Sequence, residues 1–293
     1  MTFGFVAAEK AAWPVAAICR VLGVSRSGFY ASLCRPESSR RREDHRLIAL
    51  TRAAHVIGRQ AYGSPRIHRE LRAQGECVSR KRVIRLMREA GIRARTRRRW
   101  TKTTDSCHAL PIAPNLLTRD FRASRANELW AGDITYLRTP SGWLYLAVVQ
   151  DLFSRFVVGW AVSAVIDRHL VLRALDMAIK RRCPGAGLLH HSDRGSQYAS
   201  EDYQKALAAR GITCSMSRRG DCYDNAVVES WFRTLKTELG DHFDSHAEGK
   251  HALFDYIEIF YNQRRRHSAL GYVSPAEYER TQHEAGSVTQ PVH

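Results

Sequence analysis

The hydrophobic period of this chain changes at residue 128. Upstream, apolar residues recur at steps of three and four; from Glu128 to Ser163 they alternate. A period near 3.6 suits helices and a period of two suits strands, so the two parts cannot share one architecture. The alternating part predicts three strands, Glu128–Arg138, Trp143–Gln150 and Arg155–Ser163. Thr139-Pro140-Ser141-Gly142 and Asp151–Ser154 join them as short turns, which makes them antiparallel neighbours. Further on, the pattern predicts a helix over Asp167–Arg182, a short buried strand over Leu188–His190 and a helix over Glu201–Arg210. A strand over Ile212–Met216 and a helix over Asn225–Leu239 follow. Such a series builds an α/β mixed sheet with helices on its faces. Ligand sites in such folds lie beyond strand ends.

The helical part carries the charge. Residues 1–124 hold 26 Lys and Arg against 9 Asp and Glu, and residues 125–293 hold 20 of each. The whole surplus of +17 therefore precedes the sheet. A basic arm in front of a neutral domain suits an enzyme of nucleic acid, in which one part grips phosphates and the other acts on them. Within 13–33, Val15, Ile18, Val21 and Leu22 have helical spacing. Gly23 breaks it and Ser25 can cap a second helix with Phe29 and Tyr30, the order of a helix-turn-helix. An αα-hairpin that touches no DNA fits the same letters.

Residues 36–43 read as a linker, followed by helical segments near Arg46–His55, Ser64–Gln74 and Ser79–Glu89. In the last, Val83, Ile84, Met87 and Ala90 form a stripe, while Arg80, Lys81, Arg82, Arg85 and Arg88 load the other faces. This suits either a recognition helix turned towards phosphates or a solvated basic face. Arg97, Arg98 and Arg99 lie in a dense basic run that self-repels until it meets a polyanion. The organisation expected is a helix-turn-helix over 1–36, a basic DNA-binding domain over 44–102 and a linker over 103–124. A catalytic core over 125–240 and a helical extension over 241–293 complete it.

Three carboxylates stand out in the second part. Asp133 sits on the first strand, Asp193 follows the fourth, and Glu229 lies on the last helix of the core, with 35 residues between the latter two. Brought together, they form a hard oxygen site suited to Mg²⁺ or Mn²⁺. Two unit charges 4 Å apart repel by about 4 kcal/mol at an effective dielectric near 20. Two divalent cations relieve that repulsion and serve in-line phosphoryl displacement. Asn225, Glu229, Arg233 and Lys236 share one helix face. Judged by its helix alone, Glu229 with Arg233 four residues on is an ordinary surface ion pair.

The phrases WAGDITYL, HHSDRGSQY, YDNAVVESWFRTLKTE and YNQRRRHSALGYVSPAEY resemble the DDE transposases of two-frame bacterial insertion sequences, relatives of the retroviral integrases. The resemblance spans about residues 10–280. It implies an RNase H-like fold and metal-dependent 3′-end cleavage followed by strand transfer. It also implies that Asp133, Asp193 and Glu229 hold two Mg²⁺ ions, or Mn²⁺, and that Lys236 and Arg233 lie against the DNA end; Asn225, on the same helix face, is a further candidate DNA contact. The implied partners are the element's terminal repeats, target DNA, further copies of the chain and an upstream-frame DNA-binding protein. The His-His-Cys-Cys zinc module of retroviral integrases is absent here, and the basic helices stand in its place. The alternatives are a nuclease of the same fold and a DNA-binding regulator without catalysis.

The remaining candidates point elsewhere. His190, His191 and Asp151 read as structural, Tyr198 as packing or a DNA contact, and Asp221 and Asp224 as the start of the last core helix. Seven cysteines without a C-x-x-C pair indicate reduced thiols. Neither a signal peptide nor a membrane span is expected, which suggests a cytoplasmic, nucleoid-associated bacterial protein.

Overall fold

A computed structural model describes residues 2–95, 111–117, 120–218 and 225–288. Residues 1–52 and 53–293 form two compact units.

The first unit is helical. Helices α1 (Thr2–Glu9), α2 (Val15–Val21) and α3 (Arg26–Cys34) surround a small core of Val6, Ile18, Cys19 and Phe29. The cap expected at Ser25 is present, with its hydroxyl accepting from the Gly28 amide at 2.9 Å. Helix α4 (Ser39–Ile57) begins inside the segment expected to be a linker. Ser38 receives the Arg41 amide at 3.3 Å, and Arg41 pairs with Glu37 at 3.1 Å. A capping hydroxyl and a charge pair at four-residue spacing start the helix early. The division between the units falls within α4.

The second unit opens with α5 (Ser64–Ala73) and α6 (Arg80–Glu89). Ser79 caps α6 by accepting from the Arg82 amide at 3.2 Å. Val83, Leu86 and Met87 form its buried side; Leu86 lies outside the stripe read from the sequence. The buried Tyr62 hydroxyl accepts from the Arg266 amide at 2.7 Å, and the Arg266 guanidinium donates to Glu70 at 2.5 Å. The basic helices are thus tied to the C-terminal segment.

The sheet has five strands in the order β3-β2-β1-β4-β5. They are β1 (Leu129–Thr139), β2 (Gly142–Asp151), β3 (Val157–Ser163), β4 (Leu189–Ser192) and β5 (Thr213–Met216). The first three are antiparallel, whereas β4 runs parallel to β1 and β5 parallel to β4. Helix α7 (Arg168–Arg182), capped by Asp167 on the Leu170 amide at 3.0 Å, covers one face. There Leu170, Ala174, Leu175 and Ala178 meet Trp130, Ala147, Val149 and Val158. Gly159 is required where α7 meets β3, since a Cβ would stand 2.1 Å from the Ala174 carbonyl oxygen. Helices α8 (Ser196–Ala199) and α9 (Glu201–Ala208) follow β4, and α10 (Ala226–Glu238) crosses beside β1.

Beyond the core, α11 (His246–Phe254) runs into a π-helical stretch, Asp255–Tyr261. A 3₁₀ turn (Ser268–Leu270) and α12 (Pro275–Val288) are the last described elements. Asn262, Arg264, Arg265, Arg266 and His267 spell a polar, basic turn, yet two of them are buried ties. Asn262 is fully buried and binds both polar groups of the Val157 backbone, at 2.9 and 3.1 Å. Arg265 is 2% exposed and doubly bonded to Glu238. Local letters give polarity but not burial; a guanidinium goes inside only where the fold supplies a carboxylate.

Candidate active site

The sheet register brings the first two acids together. In the parallel pairing of β1 with β4, Gly132 lies opposite Ser192. Asp133 and Asp193 follow directly on neighbouring strands, whose spacing is about 4.8 Å. The Ile134 amide donates to the Asp133 carboxylate at 2.8 Å and the Gly195 amide to that of Asp193 at 2.9 Å. The third acid arrives on α10. Asn225, just before that helix, donates its side-chain amide to the Gly132 carbonyl at 3.4 Å, and Glu229 follows one turn later. All three acids are half-buried.

Their proximity shows in the electrostatics of Asp133. Burial first, then the neighbouring Asp193 charge, pushes its carboxyl well above the ordinary carboxylate range. The Ile134 hydrogen bond opposes this, Glu229 adds to it, and Lys236 works against it. Among the described residues, no three His, Cys, Asp or Glu side chains are drawn together closely enough to ligate one ion. The donor chemistry nevertheless fits a hard divalent cation. It consists of carboxylate oxygens from two strands and a helix, repelling one another, with no thiolate among them.

Lys236 stands beside this group. Its ammonium lies 4.9 Å from the centre of the Tyr136 ring. Burial lowers its pKa to about 8, Asp241 and Asp133 opposing the shift and Arg138 assisting it. Arg233 on the same helix is exposed. Asn225 differs from both: it is buried and engaged with Gly132, so it holds α10 to β1. Arg80, Lys81, Arg85 and Arg88 are exposed on α6, whereas Arg82 is half-buried. Arg97, Arg98 and Arg99 lie outside the described residues, as do Asp221 and Asp224.

The histidines before Asp193 build the floor of the site. His190 is fully buried, with Nε2 3.1 Å from the Tyr203 hydroxyl. Burial, with His191 assisting, lowers its pKa to about 3, so the ring is neutral. A Cβ on Gly132 would come within 3.0 Å of that ring, which explains the glycine before Asp133. His191 bridges Ser215 at 2.9 Å and Ser217 at 3.2 Å, joining β4 to β5. Tyr198 is buried and edge-on to Tyr203, a packing role. Asp151 is buried and accepts the Asn127 and Phe153 amides at 2.8 and 2.9 Å, so it shapes a turn.

Comparison with known proteins shows the family of the chain. Residues 123–222 and 210–275 each match an integrase core domain, and residues 41–100 match an HTH-like domain. The transposase InsF of insertion sequence IS3A from Escherichia coli K12 is 44% identical over 283 residues, covering 95% of this chain and 98% of that protein. The chain belongs to the IS3-type insertion-sequence transposases. A 31 kDa protein of insertion element IS600 from Shigella sonnei is 43% identical over 269 residues, 91% of this chain and 99% of that one. A simian T-cell lymphotropic virus intasome structure overlaps 74% of this chain and 70% of its own, with 16% identity and a TM-score of 0.46. This transposase is accordingly a polynucleotidyl transferase with an integrase-type core behind a helical DNA-binding region. No helix among its described residues is long and apolar enough to cross a membrane.

Two features of the site escaped the sequence. Tyr136, under Lys236, reads only as a strand residue. Glu238 at the end of α10 carries no signal in the sequence, yet it is 5% exposed. An acid late in a helix, paired with an arginine 27 residues on, has no local signature.

Proposed function

We propose that Asp133, Asp193 and Glu229 are the catalytic carboxylates of this transposase and hold divalent cations, two Mg²⁺ or Mn²⁺ ions, against the scissile phosphate. The observation that carries this is geometric: the pairing of Gly132 with Ser192 sets Asp133 beside Asp193, and Asn225, bound to the Gly132 carbonyl, starts the helix that carries Glu229 one turn on; the raised carboxyl of Asp133, due to burial and the Asp193 charge with Glu229 adding, agrees with it. A fold that pushes three acids towards one another without a cation spends stability on them. Bound divalent cations would offset that repulsion and favour the attacking and leaving oxygens of an in-line displacement. Asp133 and Asp193 have backbone amides fixing their carboxylates, and Asn225 sets where α10 begins. Lys236 and Arg233 supply positive charge for the DNA phosphates next to the cut. Arg80, Lys81, Arg82, Arg85, Arg88, Arg97, Arg98 and Arg99 grip the flanking duplex.

The reaction is 3′-end cleavage of the element followed by attack of the freed 3′-hydroxyl on target DNA. In the first step water breaks a phosphodiester, leaving a 3′-hydroxyl and a 5′-phosphate; in the second that hydroxyl displaces a 3′-oxygen of the target, one phosphodiester replacing another, so neither step consumes a nucleotide triphosphate. We propose further that the active species is an assembly of several copies on paired ends, joined by the upstream-frame protein or its fusion.

The test is transfer of a labelled element end into a supercoiled plasmid. The intact chain gives joined product with Mg²⁺. Asp133→Asn, Asp193→Asn and Glu229→Gln each reduce it by more than about 100-fold, beyond the usual effect of residues that only support metal ligands. Hydrolysed ends without joined product would make the chain a nuclease. A thermal melt checks the cation separately. The raised carboxyl gives stability below the ordinary carboxylate range that is lost as pH rises through its folded pKa. At pH 7 without metal, Asp133→Asn therefore melts higher than the parent, and Mg²⁺ raises the parent alone. A parent melting point indifferent to Mg²⁺ would remove the ligand assignment.

A further inference from the structure

Helix α5 has a basic face of its own. Ile67 and Leu71, four residues apart, are its buried side. Pro65, His68, Arg69 and Arg72 follow helical steps of three and four and share the opposite side. That side, with Arg80 at the start of α6 and Tyr272 from the C-terminal segment, lines a cavity of about 530 Å³. Arg69, Arg72 and Arg80 are exposed and Tyr272 is half-buried.

The contacts of these arginines differ from those of their neighbours. In the same unit Arg85 pairs with Glu89 at 3.1 Å, and Arg266 with Glu70 at 2.5 Å. Arg69 instead lies over the Tyr272 ring, its guanidinium carbon 5.6 Å from the ring centre. Arg72 donates to the Cys77 sulfur at 3.8 Å. A guanidinium has five N–H donors, and a ring and one sulfur engage few of them. A guanidinium over a ring keeps its planar fork of donors outward, the geometry that grips a phosphate through two hydrogen bonds. His68 holds the wall in place. The Val78 carbonyl, 3.0 Å from Nε2, can only accept, so that nitrogen carries the proton and ties α5 to the approach to α6.

Tyr272 is strained into its position. Its φ is +69°, a left-handed conformation that bulky side chains rarely adopt. Two hydrogen bonds hold it there. The Tyr272 amide donates to the His267 carbonyl at 2.9 Å, and the Tyr272 carbonyl accepts from Arg266 Nη1 at 3.0 Å. Glycine would take this conformation without strain, as Gly271 does just before it at φ +70°. What tyrosine adds is the ring beneath Arg69. Residues held against such strain cluster at binding sites.

We propose that this cavity seats the phosphates of one strand of duplex DNA, with Arg69, Arg72 and Arg80 as donors and Tyr272 positioning Arg69. Phosphate contacts fix where a protein sits on a duplex without reading its sequence, so the seat accepts any duplex. It goes beyond the grip assigned to α6, with which it shares Arg80, because α5 and the C-terminal segment carry it. It uses none of the three carboxylates, so it stands or falls apart from the catalytic assignment.

The test is fluorescence anisotropy of a labelled duplex titrated with the full chain over a series of NaCl concentrations, in EDTA so that no cation bridges phosphate to the acids. Arg69→Gln with Arg72→Gln is expected to make the log–log salt slope shallower by at least about 0.9, the contribution of one phosphate. The melting point stays unchanged, because both side chains are exposed. Arg69→Lys with Arg72→Lys keeps the slope. Asparagine tolerates the left-handed conformation, so Tyr272→Asn removes the ring and spares the turn. It weakens binding by about 3-fold, the size of an exposed cation–ring contact, and adds nothing to Arg69→Gln. Lys81→Gln with Arg88→Gln reports on α6 by itself. A slope that falls in the α6 variant but not in the α5 variant overturns the seat and leaves the α6 grip standing; the reverse supports the seat and removes that grip. An equally shallow slope in the Lys variant, or a Tyr272→Asn effect that adds in full to Arg69→Gln, also overturns the proposal.

Discussion

Glu238 ends the helix that carries Glu229, and removing its charge provides a stringent test of how that helix is held. Its carboxylate takes contacts of 2.6, 2.7 and 3.0 Å from Arg265 and the Tyr256 hydroxyl at 2.8 Å. Both charged side chains are 3% exposed. Burial works against the Arg265 charge, and the Glu238 hydrogen bonds and charge more than offset it, holding the guanidinium above its ordinary value. At an effective dielectric near 20, charges this close attract by roughly 6 kcal/mol. Desolvating two ions costs several kcal/mol each, so the pair as a whole contributes little. Breaking it is different, because one charge then stays buried without compensation. Glu238→Gln or Arg265→Met alone is therefore expected to cost about 3–5 kcal/mol, while Glu238→Met with Arg265→Met costs less than either. Urea unfolding followed by tryptophan fluorescence measures this, since Trp130, Trp160 and Trp231 all lie in the same unit. A single variant costing under about 1 kcal/mol, or a double variant equal to the sum of the singles, would refute the reasoning.

Lys236, with a pKa lowered to about 8, loses its charge as pH rises past that value. End-DNA affinity is expected to fall between pH 7 and 9, and Lys236→Arg to abolish the fall; the groups facing this lysine are Asp241, Asp133 and Arg138. An unchanged pH profile in Lys236→Arg counts against a phosphate contact. Gly159→Ala is expected to destabilise by at least about 1–3 kcal/mol, because its Cβ meets α7 backbone rather than a yielding side chain; a neutral effect in thermal melts would mean that α7 shifts freely. Deleting residues 1–102 should flatten the salt dependence of DNA binding, by about 0.9 in log–log slope for each phosphate that is no longer neutralised. The same slope in the deleted protein would place the grip elsewhere.

Much of the catalytic core was readable because its signals are local. Alternation over Glu128–Ser163 marked three strands, now β1 to β3. Asp167 and Ser25 announced their helices because a cap acts on amides two or three residues away. Helix α4 began earlier than expected because Ser38 and the Glu37–Arg41 pair are weak signals beside a run of arginines. The Asn262–Arg266 segment misled for the opposite reason: its polarity is plain, but its partners, Val157, Glu238 and Glu70, are far away in sequence.

By itself the chain determined most of its elements and the position of its surplus charge, since each follows from residues a few positions apart. The fold decided which groups meet. A parallel register sets Asp133 beside Asp193, and a buried amide at Asn225 fixes where α10 begins. A buried ion pair holds that helix at its far end, and a C-terminal ring reaches the basic face of α5. Those choices depend on desolvation and packing between distant segments, and neither is written in neighbouring letters.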